Sequence, residues 1–166
     1  EEYIRILRRP WVEVMDPDQI VVGNHPMQYK VHDSRPGPVD IMVEYSDNSG
    51  TTWTLATEGP GGDGIAGLAA TPEGVMHTFA WNTMLDLGAG NFDEVMIMIT
   101  ASNAEVTGDG EQSNLFQAYN PTSAMVRMFL VGNGNTPPDG NNYLYDVNHD
   151  GIVDAADVIM LLMYGL

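Results

Sequence analysis

The sequence predicts a mainly β protein: an antiparallel β-sandwich followed by a small C-terminal loop-and-helix unit. Three observations carry that reading. Short apolar or β-branched runs recur between turns supplied by 18 glycines and 10 prolines, the pattern of an all-β sandwich. The clearest run, residues 39–45, puts Val39, Ile41, Val43 and Tyr45 on one face and Asp40, Met42 and Glu44 on the other. That is the period of a half-buried strand. Beyond residue 142 the pattern changes to a polar loop followed by one apolar helical stretch.

Taken in order, residues 3–7 and 12–15 are brief apolar runs, broken by Arg9-Pro10 and Asp16-Pro17. Residues 20–22 and 27–31 follow, split by Gly23-Asn24-His25-Pro26. Residues 51–57 are rich in β-branched side chains and carry Trp53, and residues 75–81 form a further strand. Residues 95–100 are apolar on both faces, which predicts a central strand. Residues 115–119 and 124–131 complete the strands. Residues 132–142 hold no apolar side chain and include Pro137-Pro138, so they read as a linker. The expected organisation is a basic arm over residues 1–9, a sandwich over 10–131, a linker over 132–142 and the loop-helix unit over 143–166.

Charge narrows the function classes. Twenty-three acidic side chains face six basic ones, a net charge of −17. Such a chain repels nucleic acid and anionic membranes, and suits divalent cations or simple solubility. The cations are uneven: Arg5, Arg8 and Arg9 crowd the arm, leaving only Lys30, Arg35 and Arg127 for the rest. No cysteine is present, so neither disulfides nor thiolate metal sites are available. No apolar run is long enough to span a membrane. A start at Glu1 without a visible leader is the expectation for a mature secreted chain, extracellular or at the cell surface.

Residues 146–157 read DVNHDGIVDAAD. Oxygen-bearing side chains occupy the first, third, fifth, ninth and twelfth places, with glycine sixth. Calcium takes six to eight oxygens, and a curled loop that points alternate side chains at one centre supplies them. Asp146, Asn148 and Asp150 would give the first ligands, Ile152 its backbone carbonyl while its side chain packs inward, Asp154 a direct or water-mediated ligand, and Asp157 the closing carboxylate. Gly151 permits the sharp bend. A wholly protein-derived oxygen cage favours Ca2+ over magnesium. His149 falls at a non-liganding, exposed place.

At these residues the chain resembles a dockerin repeat: DVNHDGIVDAADVIMLLMYGL has a calcium loop ending in Asp and a single following helix. Dockerins generally carry two such repeats, and one is present here. Ala155 and Ala156 stand where many dockerins use a Ser/Thr pair to meet cohesin. Residues 46–53 (SDNSGTTW) resemble an Asp-box hairpin with Asn48 in place of Asp, which implies that Trp53 anchors a hairpin in the core. The wider run over residues 39–103 is similar to fibronectin type III/immunoglobulin-like modules of bacterial surface proteins. That resemblance implies an immunoglobulin-like sandwich with a spacer or adhesive role.

No catalytic constellation emerges. Residues 59–67 are glycine-rich but lack a phosphate-loop ending and read as a long flexible loop; no nucleophile elbow or HExxH is present. The expectation is therefore a non-catalytic structural or assembly protein, polymerising in a filament or surface array. Its contacts would come from the arm (Tyr3, Ile4, Arg5, Ile6, Leu7, Arg8, Arg9) and from the C-terminal helix (Val158, Ile159, Leu161, Leu162, Tyr164). The helix is apolar all round, so either the sandwich or another molecule must cover it. Two alternatives stand beside this: a dockerin-like anchor to a cohesin-type scaffold, and a carbohydrate-binding module using Trp11, Trp53 or Trp81.

Overall fold

The computed structural model describes residues 9–17, 20–35, 37–135 and 142–165. In chain order come β1 (Trp11–Val14), β2 (Asn24–His32), β3 (Asp40–Ser46), β4 (Thr54–Leu55), β5 (Val75–Asn82) and α1 (Thr83–Leu87). Then follow β6 (Gly90–Ser102), β7 (Thr107–Gln112), β8 (Phe116–Asn120), α2 (Ser123–Asn133), a 3-10 turn (Asn142–Tyr145) and α3 (Ala155–Met163).

All pairing between these strands is antiparallel. One sheet runs β1-β2-β5; the other runs β4-β3-β6, with β7 and β8 both on the far side of β6. The centrality expected for residues 95–100 follows, since β6 is thirteen residues long and holds three partners. The two sheets bury their inner faces against each other: Met27, Tyr29, Val31, Phe79 and Trp81 meet Ile41, Val43, Val95, Ile97 and Ile99. The alternation read from residues 39–45 holds, with Ile41 and Val43 buried and Asp40 and Met42 exposed. The protein is an antiparallel β-sandwich with a small C-terminal helix.

A second apolar cluster closes one end of the sandwich. Val22 and Met84 from the sandwich, Val126 from α2, Val147 and Val153 from the loop, and Val158 and Leu161 from α3 are all buried together. This end is where β2 begins and β5 finishes, because Asn24 pairs with Asn82. The opposite end is marked by Trp11 against His32.

Several expectations need correction. Residues 124–131 form the helix α2, not a strand. Thr122 caps it by accepting from the Met125 N–H, and Val126, Phe129 and Leu130 turn inward at helical spacing. An apolar run of that length fits either period, and the helical end of the sandwich selects one. The C-terminal helix is accordingly not the only one, since α1 is also present. The run 51–57 contributes only Thr54–Leu55, and within 20–22 only Val21 makes a bridge, to Ala118. β7 (TGDGEQ) has no apolar residue to announce it and forms by pairing with β6. The glycine-rich stretch 59–67 is fastened rather than loose: Gly59 N–H donates to Ala80 O, Asp63 N–H to Thr78 O, and Ile41 N–H to Ile65 O. Among the described residues, no helix is long and apolar enough to cross a membrane.

Candidate metal centre

The loop leaves the 3-10 turn and ends in the first turn of α3. Asp154 caps that helix by accepting from the Ala156 N–H at 2.6 Å, and Asp157 Oδ2 accepts from the Asp154 N–H at 2.8 Å. This reciprocal arrangement satisfies donors that a helix start leaves unpaired. The other oxygen of Asp157 accepts from the N–H groups of Val147 (2.8 Å) and Asn148 (3.3 Å). One carboxylate therefore ties the beginning of the loop to its end.

Asp146 accepts from the N–H groups of Asp150 (3.2 Å) and Gly151 (3.1 Å). Asn148 accepts from the Asp150 N–H at 3.0 Å and donates its amide to Asp150 Oδ2 at 3.0 Å. Asp150 Oδ1 accepts from the Ile152 N–H at 2.9 Å. All five side chains read from the sequence as ligands thus share one local network. Gly151 turns at φ 87°, the left-handed bend that glycine tolerates best, and His149 also has positive φ. Among the described residues, no three carboxylate or imidazole groups converge on one point; the oxygens answer backbone N–H groups instead.

Burial makes this network costly. Asp146 and Asp157 are both buried, and neither forms an ion pair among the described residues. Burial pushes the Asp157 carboxyl up to about 6, with the Asp146 charge adding to the rise and the N–H groups of Asp154, Asn148 and Val147 opposing it. Asp146 is raised as well, chiefly by burial and further by Asp150, against the N–H groups of Gly151 and Asp150 and the neighbouring His149. The donor set is hard oxygen throughout, which suits a hard divalent cation and would offset the charge these carboxylates place in the interior.

No protein-family model and no curated protein matches the sequence. Local chemistry is what remains.

The loop is joined to the sandwich at several points. His149 Nε2 lies 2.6 Å from Val22 O, the Asn24 N–H donates to Val147 O at 3.3 Å, and Asn82 donates to the Tyr164 hydroxyl at 2.9 Å. His149 is exposed, as expected, yet its ring also sits edge-on to His25 at 5.4 Å. Ile152 is a correction: its side chain is 45% exposed, and the buried neighbours that face inward are Val147 and Val153. The alternation of the short bridge at Val153 sends Ile152 outward.

The predicted contact residues divide. Val158 and Leu161 are buried against α2 and the sandwich, and Tyr164 bonds to Asn82. α2 and the end of the sandwich, rather than a second calcium repeat, cover this face. Ile159 and Leu162 remain exposed. Arg9 pairs with Asp109 at 2.9 Å, while Tyr3, Ile4, Arg5, Ile6, Leu7 and Arg8 lie outside the described residues. The tryptophans are dispersed. Trp81 is buried in the core, Trp11 is exposed and stacked on His32, and Trp53 is half-buried in the turn before β4 and outside the core, which corrects its expected role as a core anchor. The Asp-box-like turn holds itself together through Asn48, which accepts from the Thr52 N–H at 2.9 Å.

Missed at the sequence level were α2 and the acceptor carbonyls of the loop seam. Backbone acceptors leave no side-chain signature. The polar turn Gly23-Asn24 is a local sequence cue to the seam, and Gly23 there has φ 61°.

Proposed function

We propose that this is a non-catalytic, extracellular structural or assembly module in which residues 146–157 bind calcium as a dockerin-like loop. The observation that carries the reading is the pair of buried carboxylates, Asp146 and Asp157, held in one network with Asn148 and Asp150 and lacking an ion-pair partner among the described residues. Calcium taken by this loop, with the Ile152 carbonyl and Asp154 completing the donors, fixes the start of α3 and so fixes the helical end of the sandwich. The side of α2 and α3 left open then serves as a contact surface for other subunits. A cation that binds only the folded loop stabilises it by mass action, about 2.7 kcal/mol at a hundredfold excess over Kd.

Titration calorimetry tests the site: one calcium per chain is expected for the wild type and none for Asp146→Ala. Absence of heat in the wild type removes the assignment. Sedimentation in millimolar calcium tests assembly, with species larger than the monomer expected. A cohesin pull-down separates self-assembly from scaffold anchoring; capture abolished by Asp146→Ala would favour the anchor.

A further inference from the structure

The open face of the three-stranded sheet carries a row of side chains away from the helical end. Along β1, Trp11 and Glu13 point outward while Val12 between them is buried. On β2, His32 lies opposite Trp11 and Lys30 opposite Glu13. Strand alternation puts Gln28 next on the same face, and Met76 of β5 lies opposite Lys30.

Trp11 is the rigid end of this row. Its indole stacks on the His32 ring, with centroids 3.6 Å apart and planes 7° from parallel. His32 is itself wedged: Nδ1 lies 3.2 Å from Pro72 O, and a Cβ on Gly74 would lie 2.4 Å from the ring. One indole face is therefore held from behind, and Trp11 remains 51% exposed. An aromatic plane fixed before contact offers a ligand a large apolar surface with little side-chain ordering.

Polar groups and then a cleft follow along the strands. Lys30 Nζ donates to Glu13 Oε2 at 3.1 Å, and Gln28 donates to the Thr78 hydroxyl at 2.9 Å. His32 is buried, and its Nε2 has no hydrogen-bond partner and lies 3.8 Å from the Glu13 carboxylate. The Met15 N–H donates to Gln28 O, which continues the pairing past β1. There a cleft of about 610 Å3 opens between Met15, Pro17, Pro26, Gln28 and Met76. Asp16, which also borders it, is engaged by the Asn114 N–H at 2.7 Å and by its amide at 2.5 Å. From Trp11 to Met15 the extended chain covers about 13 Å.

Charge narrows the ligand. Lys30 is one of six cations in a chain of net charge −17, and here it neutralises Glu13. A cancelled pair attracts neither a cation nor an anion, whereas hydroxyl groups can use both its donors and its acceptors. A fixed aromatic plane beside such a pair matches a pyranose ring, apolar on one face and hydroxylated at its edge.

We infer that this face binds a neutral polysaccharide. One sugar stacks on Trp11, its hydroxyls are shared between Glu13 and Lys30, and the glycan runs toward the cleft at Met15 and Met76. The site is separate from residues 146–157, which join the sandwich at the Asn24 end of β2. It stands whether or not that loop takes a cation.

The full-length protein tests it in native gels containing mixed-linkage β-glucan, xylan or galactomannan, and by depletion on insoluble cellulose and chitin. At least one of these should bind the wild type more strongly than polygalacturonate, an acidic polysaccharide, does. Trp11→Ala should weaken that binding at least about tenfold, and Trp11→Tyr by less. In the wild type, an oligosaccharide of the bound glycan should shift the indole N–H resonance of Trp11, assigned through the backbone, and leave those of Trp53 and Trp81 in place. This last readout needs no variant to hold its fold. Failure to bind any of the neutral glycans, equal binding of polygalacturonate, Trp11→Ala binding like wild type, or a shift confined to Trp53 or Trp81 would each overturn the site.

Discussion

The Nε2 nitrogen of His149 lies 2.6 Å from the carbonyl oxygen of Val22. A carbonyl can only accept, so the ring donates from Nε2, and the loop is fastened to a buried stretch of the sandwich by a side chain that cannot itself serve the oxygen cage. Val22 is fully buried. His149→Ala should therefore cost about 1–3 kcal/mol, the range for leaving a buried acceptor unmet. Chemical denaturation measures it, and a loss no larger than that of an exposed control such as Leu162→Gln would deny the seam any role in stability.

Gly23 makes a second test of the same seam. It has φ 61°, and a Cβ there would lie 2.3 Å from the Val147 carbonyl oxygen. Gly23→Ala combines left-handed strain with a backbone clash and should cost more than about 2 kcal/mol. The amide spectrum should also shift around residues 146–149. A neutral substitution with unchanged loop resonances would mean that the loop does not seat against this turn.

Acid acts on this end in two senses: the raised carboxyls of Asp146 and Asp157 favour the fold as pH falls, while His25 opposes it. His25 is lowered to about 4, first by burial and then by His149, and its Nδ1 is buried without a hydrogen-bond partner. The folded value lies below the unfolded 6.5, so the folded state resists protonation. The stability contribution is complete above pH 6.5 and is lost as pH falls toward 4, by up to about 3 kcal/mol. Denaturation at pH 7 and pH 4.5 should show wild type losing about 2 kcal/mol more than His25→Asn. Equal losses would show that His25 titrates normally.

How much of this was legible beforehand depends on which side chains speak for themselves. The strand over residues 39–45 and the central strand around Ile97 were readable because alternation and two-faced apolarity survive in any context. Residues 146–157 could be singled out as one unit because the spacing of oxygen-bearing side chains is a one-dimensional signature, and the structure joins those side chains in one hydrogen-bond network. α2 was not readable, since AMVRMFLV satisfies both periods until the cluster around Val22 and Met84 chooses helix. β7 was invisible because no apolar side chain announces it; pairing with β6 and the Arg9–Asp109 ion pair place it. The cis face of α3 was equally hidden: all-round apolarity says a helix needs cover without saying that Val158 and Leu161 find it in the same chain while Ile159 and Leu162 do not.

Trp81 offers a control outside the hydrogen-bond network of the loop. Its indole N–H donates to Asp86 Oδ2 at 2.6 Å, and Asp86 also accepts from the Thr57 N–H (2.8 Å) and hydroxyl (2.6 Å). Asp86→Ala should destabilise the sandwich by about 2–4 kcal/mol through the orphaned donors, and Asp86→Asn by less, since an acceptor oxygen remains. Calcium-linked stabilisation should survive in both. Its disappearance would tie the core to the loop more tightly than the packing implies.

The central claim is that residues 146–157 form a calcium loop whose occupancy stabilises the helical end. Thermal melting of wild type and Asp157→Ala, each in millimolar calcium and in chelator, tests it most directly. The wild type should melt several degrees higher with calcium, about 4–8 °C for each kcal/mol in a small domain and half that in a larger one, while Asp157→Ala should melt at one temperature in both. A wild-type midpoint indifferent to calcium, or a variant that gains as much as wild type, would contradict the account.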